Sequence, residues 1–364
     1  MRIWRVFATL NPNSNIDLRF HHIMNFLAAP ESDPILLYRQ RDGLYAVDML
    51  TAALCHLDLF SRLAEQPMGL PAICRAVDVR ERPADVMLTL LTSMDLLQNS
   101  GGVFSLTKTA REFLLPSSQW FMGPYFATAK ERPVCRDILA VLRTDQPSNF
   151  ASLRDEKQWA KAMEDETFAN SFTGAMDCRG GLLGPALAAN LDCSRHSRLL
   201  DIAGGSGVYA CAIVARHPHL RAGVLEKPPV DQLTRRTLAA RGFADRVEVL
   251  TGDIFAGALP AGFDVHLFSN VLHDWDHPRV RQLLAKSAAA LPRRGMIIIH
   301  DAHINSQKTG PFPVAAYSAL LMTITEGKCY SQKEMSDYLT EAGFGEIVYA
   351  PTAVDRSVIT ARKM

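Results

Sequence analysis

The chain predicts two architectures in series: a mostly helical amino-terminal half containing a winged-helix unit, and an α/β carboxy-terminal half organised as a doubly wound parallel sheet. Three observations carry this. From Arg198 onward, short apolar runs alternate regularly with segments of helical period. The glycine cluster Gly204-Gly205-Ser206-Gly207 falls between the first such run and the helix-period stretch Val208 to Arg216, the position of a tight strand-to-helix turn. Upstream, three helix-period segments precede two short runs flanking Asn99-Ser100-Gly101-Gly102, a hairpin signal.

In chain order, residues 1–34 read as a loosely attached arm; Met1 to Leu10 has two arginines but too short an apolar stretch for a secretion signal. Helices are predicted over Asp42 to Phe60, Leu70 to Val77 and Pro83 to Met94, the last with proline in its first turn. With the hairpin they form a winged-helix-like unit over 35–115. Such units often bind DNA, but Arg82 to Met94 offers a single arginine, offset by Asp85, so no nucleic-acid partner is expected. Residues 116–195 read as a helical linker: Thr107 to Leu115 leads into Trp120 to Ala129, Val134 to Leu142 and Trp159 to Met176. Gly180-Gly181 then break the run before a helix at Leu182 to Asn190. Residues 196–364 carry strands at Leu199 to Ile202, Arg221 to Leu225, Val247 to Leu250, Val265 to Phe268 and Met296 to His300, with helices at Val208 to Arg216, Val230 to Arg241 and Val280 to Leu291. Glu346 to Ala350 and Ser357 to Ala361 are expected as an antiparallel edge pair.

At 364 residues, the chain is long enough for two domains with ample cores. A formal net charge of +1 gives no reason to invoke a polyanionic partner. Seven scattered cysteines without a C-x-x-C pair read as reduced thiols of a cytoplasmic protein. No apolar run approaches the ~20 residues of a membrane span.

The glycine turn is suited to a nucleoside-bearing cofactor, because glycines admit close backbone approach and the following helix presents unpaired N–H groups. Gly205, Gly207 and Ala210, with Glu226 about twenty residues on, also satisfy a loose dinucleotide fingerprint, which keeps a nicotinamide-dependent oxidoreductase open. Three features favour S-adenosylmethionine instead. Asp201 precedes the glycines, where a pyrophosphate would be repelled and a cationic amino-acid group welcomed. Gly252-Asp253-Ile254-Phe255 pairs an acceptor with an apolar wall, as an adenine requires. Leu272-His273-Asp274-Trp275 has no counterpart in a plain dinucleotide half.

At Asp201 to Gly207, Gly252 to Phe255 and His273-Asp274-Trp275 the chain resembles the class I S-adenosylmethionine-dependent small-molecule O-methyltransferases, the group of caffeate, hydroxyindole and bacterial natural-product enzymes. The resemblance runs from about Leu44 to the end. It implies a Rossmann-like methyltransferase domain, a homodimer formed through the winged-helix domain, and a small aromatic or polyketide-like acceptor roofed by the linker helices. It implies His273 as general base with Asp301 orienting it, and cofactor contacts from Asp201, Ala203, Gly204, Gly205, Glu226, Asp253, Ile254, Ser269, Asn270, Asp274 and Trp275. Phe126, Met163, Phe172, Met176, Tyr317 and Met322 are candidates for the acceptor pocket, though such stripes are equally compatible with core.

Departures from the family pattern are visible. Ala203 replaces a frequent glycine, Glu226 a usual aspartate, Ser269 a lysine common in plant members, and Cys329 a second acid flanking the base, a role that Glu326 could assume. The last two keep open a non-methylating member that retains the fold for binding or another reaction. His300 and His303 beside Asp301 have the look of metal ligands, but no metal is expected.

Overall fold

The structure, a computed structural model, describes residues 24–147 and 166–364. In the amino-terminal part, α1 (Ile35–Asp42), α2 (Ala46–Cys55) and α3 (Leu59–Glu65) are followed by β1 (Met68–Gly69), α4 (Leu70–Val77), α5 (Glu81–Ser93), β2 (Leu97–Ser100) and β3 (Val103–Leu106). The small sheet has order β1-β3-β2, all antiparallel, so the expected hairpin gains a third, two-residue strand. Next come α6 (Lys108–Phe113), α7 (Gly123–Ala127), α8 (Pro133–Thr144) and the long α9 (Glu166–Ala189).

Four expectations are corrected here. The single helix over Asp42 to Phe60 is parts of three. Gly43 closes α1 where a Cβ would meet the Arg39 carbonyl at 2.9 Å, and Asp58 turns into the left-handed region before α3. The helix expected over Trp120 to Ala129 shrinks to the five residues of α7, whose first turn holds Pro124. Gly180 and Gly181 do not break the roof, because α9 runs through both and through Pro185. The glycines allow close helix packing instead: a Cβ at Gly180 would fall 2.2 Å from Val208 Cγ1, and one at Gly184 3.0 Å from Ala212 Cβ. Finally, the arm is anchored at its described end, for Phe26 is buried edge-on against Phe243, with ring centroids 5.6 Å apart.

The carboxy-terminal part runs β4 (Arg198–Ile202), α10 (Val208–Arg216), β5 (Arg221–Glu226), α11 (Val230–Ala240), β6 (Val247–Thr251), β7 (Val265–Ser269), a 3-10 turn at Leu272–Asp274, α12 (His277–Ala290), β8 (Met296–Asp301), α13 (Phe312–Ile324), α14 (Gln332–Glu341), β9 (Phe344–Pro351) and β10 (Ser357–Lys363). The seven strands order as β6-β5-β4-β7-β8-β10-β9. The first five are parallel; β10 runs antiparallel to both β8 and β9. The central strands β7 and β8 are buried along their whole length, as a sheet covered on both faces requires. The order reverses between β4 and β7, so a crevice opens at their carboxyl ends, where such sheets place ligands.

The two parts share a core. Leu320, Leu321 and Met322 of α13 are buried in one cluster with Met49, Phe60, Met87 and Leu91 of the amino-terminal helices. Arg82 of α5 reinforces this junction by donating to the Gly327 carbonyl at 2.6 Å and pairing with Asp145 at 2.6 Å. The single arginine of that helix is thus engaged inside the molecule.

Candidate active site

The glycine turn follows β4, whose last residues are fully buried. Asp201 lies under it with both carboxylate oxygens buried and unbonded; the nearby Ala210 N–H favours the charge but does not meet hydrogen-bond geometry. Burial pushes this carboxyl up to about 7, with Glu226 adding repulsion. Gly204 folds over it so closely that a Cβ would sit 2.5 Å from Asp201 Cγ, whereas a Cβ at Gly205 would meet nothing within 4 Å. Gly204 is therefore required by its acidic neighbour, and Gly205 leaves room above the turn. Ala203 is held at φ +56°, the left-handed region that favours glycine.

Glu226 ends β5 and accepts from Gly205 N–H at 2.9 Å and Lys227 N–H at 3.0 Å. Desolvation nonetheless raises it to about 7, with those two N–H groups pulling the other way. Beyond β6, Asp253 opposes its own desolvation by accepting from Phe255 N–H at 2.8 Å and pairing with Lys227 at 3.2 Å, and it is held below the usual carboxylate range. Ile254 is buried beside it. Phe255 meets Trp275 edge-on at 4.6 Å, and Arg279 lies over both rings at 4.7 and 5.0 Å. These acids and flat walls occupy successive strand ends, as the spacing predicts.

His273 stands on the 3-10 turn after β7, and Asp301 ends the adjacent β8. His273 Nδ1 lies 2.6 Å from Asp301 Oδ1, and both side chains are buried. Asp301 also accepts from the Ala302 N–H at 2.8 Å. Burial opposes the imidazolium, but Asp301 and Asp274 outweigh it and raise the His273 pKa. Asp301 moves the opposite way: its burial is overcome by the facing His273, which holds it well below the usual range. The second nitrogen, Nε2, has Asp274 Oδ1 at 3.5 Å. The acid beside that nitrogen is thus the adjacent residue. Glu326 lies against Arg279, 4.0 Å away, and Cys329 is a buried thiol whose N–H donates to Ser318 Oγ at 3.1 Å.

Ser269 and Asn270 form a hydrogen-bonded shelf: Ser269 Oγ meets His300 Nδ1 at 3.0 Å, and Asn270 Nδ2 donates to Tyr209 Oη at 3.0 Å, leaving Asn270 Oδ1 buried without a partner. His300 bonds through its other nitrogen to Thr352 Oγ1 at 3.2 Å, and His303 bonds Ser357 Oγ at 2.8 Å. Burial lowers their pKa values to about 3 and about 4. Among the described residues no three His, Cys, Asp or Glu side chains converge to hold a metal.

The candidates for the acceptor pocket separate. Tyr317 belongs to the site, its ring edge-on to His273 with centroids 6.0 Å apart. Phe172 is half-buried on α9, stacked near Phe168 and against the buried Ala169 and Val230 of the donor side. Met176 is half-buried one turn on. Phe126 packs partly buried on the amino-terminal core, and Met322 is fully enclosed within that core. Met163 lies outside the described residues.

Two residues of α9 were missed by sequence reasoning. Asp177 accepts from Ser206 Oγ of the glycine turn at 2.5 Å and pairs with the buried Arg241 at 2.5 Å, which ties the roof to the turn. Arg179 donates from Nη1 to Tyr317 Oη at 3.1 Å. The signal was two charged residues within a helix otherwise rich in Gly, Ala and Leu. The loop 325–330 supports the turn that carries His273 from outside: Tyr330 Oη donates to the Trp275 carbonyl at 2.6 Å, and a Cβ on Gly327 would fall 2.2 Å from the His273 carbonyl oxygen.

The residues fit S-adenosylmethionine. Orphaned acceptors at Asp201 and Asn270 await a cationic group, and the open side of Gly205 leaves space for it. Comparison with known proteins agrees. The O-methyltransferase domain family matches residues 137–345, and the O-methyltransferase dimerisation domain matches 40–116. A 3-hydroxy-5-methyl-1-naphthoate 3-O-methyltransferase of Streptomyces sahachiroi is 31% identical over 86% of this chain and 90% of its own. The crystal structure of an O-methyltransferase family 2 protein from Planctomyces limnophilus in complex with apigenin superposes with a TM-score of 0.85 at 30% identity, covering 93% of this chain and 98% of that one. PigF of Serratia, solved with SAH, gives 0.58 at 25% identity, covering 89% and 98%. The chain belongs to the O-methyltransferase family, as an S-adenosylmethionine-dependent enzyme carrying the family's dimerisation domain.

Proposed function

We propose that the chain methylates a hydroxyl of a small aromatic or polyketide-like acceptor, with His273 as general base. The observation that carries this reading is the 2.6 Å contact between His273 Nδ1 and Asp301. An ionised carboxylate can only accept, so Nδ1 carries the proton and Nε2 keeps its lone pair for the acceptor hydroxyl. A phenol near pKa 10 is mostly protonated at neutral pH, and an imidazole is matched to remove that proton. The donor supplies an electrophilic methyl group on a sulfonium. Asp201 and Asn270 would meet its amino-acid end, Glu226 the ribose hydroxyls, and Asp253 with Ile254 and Trp275 the adenine. Burial of His273, Asp301 and Tyr317 keeps bulk water from the hydroxyl being deprotonated. The naphthoate named for one relative and the apigenin bound to one neighbour support an aromatic acceptor.

The domain bounds 35–115, 116–195 and 196–364 serve in this reading as dimerisation unit, roof and donor-binding domain, with 1–34 as an arm. A homodimer is supported by the matched dimerisation domain and by the exposed Leu36, Leu37, Val47, Trp120 and Tyr125 of the amino-terminal half. Seven unbridged cysteines fit a reducing, cytoplasmic compartment.

The test is transfer of labelled methyl from S-adenosylmethionine across naphthols, flavones and hydroxylated polyketide aromatics. Labelled product with the wild type and its loss in His273→Ala are expected. Donor binding without transfer to any acceptor, or an unimpaired His273→Ala, would reject the reading.

A further inference from the structure

Arg179 is a cation in an unbalanced setting. Among the described residues, the Tyr317 hydroxyl is the one acceptor that any of its N–H groups reaches; Nε is buried and bonds nothing. The residue is half-buried, and a buried guanidinium N–H left without an acceptor is costly unless a ligand answers it. The carboxylates that act on Arg179 face His273 instead: Asp301 bonds His273 and the Ala302 N–H, and Asp274 lies 3.5 Å from His273 Nε2, while Asp42 pairs with the neighbouring cation Arg356 at 2.8 Å. With Nη1 turned to Tyr317, the Nε–Nη2 edge remains, and that edge matches the two oxygens of a carboxylate. Its position is equally specific. Tyr317 is edge-on to His273, which puts Arg179 beside the base, while α9 ties to the glycine turn through Asp177, two residues earlier.

We propose that the Nε–Nη2 edge of Arg179 is a carboxylate-binding site of the methyl-transfer centre, an inference that rests on the methyltransferase reading. Two molecules of that reaction can bring the group: an aromatic acceptor that bears a carboxylate as well as its hydroxyl, and the amino-acid end of the methyl donor. The proximity to Tyr317 and His273 favours the acceptor. In either case the guanidinium orients its ligand and leaves proton removal to His273.

Calorimetric titration of the full chain distinguishes the sources. Each carboxylate is compared with its decarboxylated counterpart: a hydroxynaphthoate against the matching naphthol, both in the presence of S-adenosylhomocysteine, and S-adenosylhomocysteine against its decarboxylated analogue. In Arg179→Gln, one of the two pairs should lose roughly 10- to 100-fold of its preference for the acid, with affinity for the decarboxylated member unchanged. The pair that responds names the source. Arg179→Lys, which keeps the charge and loses the fork, should retain part of the preference and serves if the glutamine variant does not fold. Equal preferences in wild type and variants, or no preference for either acid in the wild type, would overturn the proposal. Failure of the wild type to bind S-adenosylhomocysteine would instead defeat the methyltransferase reading, a separate and recognisable result.

Discussion

His273, on the turn after β7, and Asp301, at the end of the adjacent β8, share one short contact, Nδ1 to Oδ1 at 2.6 Å, entirely within the protein. Because Asp301 and Asp274 outweigh burial, the imidazole holds its proton to higher pH than in water, where its pKa is 6.5. The base must be neutral to act, so kcat/KM falls as pH drops through this raised pKa. Asp301→Asn removes the stronger attraction: the acid limb should move to lower pH, and the plateau should fall by at least about tenfold as the tautomer is lost. A pH-rate profile with an unmoved limb would contradict the pairing.

Glu226 is raised from 4.5 to about 7 by its burial in the donor-free protein. Its folded form holds a proton that the unfolded form releases earlier, so it costs stability as pH rises from 4.5 through 7. Glu226→Gln removes that cost, and the donor-free variant should melt on the order of a few degrees higher at pH 8. The same variant should bind S-adenosylhomocysteine about tenfold more weakly, with less loss of affinity below pH 7 than the wild type shows. Thermal melts and titrations at pH 6 and 8 check both signs.

Ala203 occupies left-handed backbone at φ +56° with its N–H bonded to the Leu225 carbonyl at 2.9 Å. An L side chain there costs roughly 1–2 kcal/mol, partly offset by the greater freedom glycine gives the unfolded chain. Ala203→Gly should therefore raise stability by up to about 1 kcal/mol, readable in denaturant midpoints, without weakening the donor.

Cys329 is enclosed and its thiol is pushed well above its ordinary pKa by burial and by Asp301. It cannot supply the charge of an acid. Cys329→Ala should leave kcat within about threefold, since the thiol takes no part in proton transfer. A pH profile displaced by this change would show that the thiol has a role after all.

Much of this was legible in the chain. The alternation after Arg198 placed every strand of the large sheet, and the acids at Asp201, Glu226, Asp253 and Asp301 do lie at strand ends, because an apolar run ending in a polar residue records where a buried strand meets a crevice. What local pattern could not show was the partner across space. Gly180 reads as a breaker until Val208 is seen against it, and Arg179 draws no notice until Tyr317, more than a hundred positions later, faces it. Met322 has the apolar character of a pocket wall, yet α13 turns it into the shared core.

Gly327 draws these threads to one place. With 2.2 Å between an imagined β-carbon and the His273 carbonyl oxygen, the residue acts as a spacer of zero thickness behind the His273 turn, and Arg82 of the amino-terminal helices holds its carbonyl. The aim of the imidazole is therefore set from behind, by a residue without a side chain wedged between two halves of the molecule. Any thickening of that shim would tilt the base while leaving every chemical group in place.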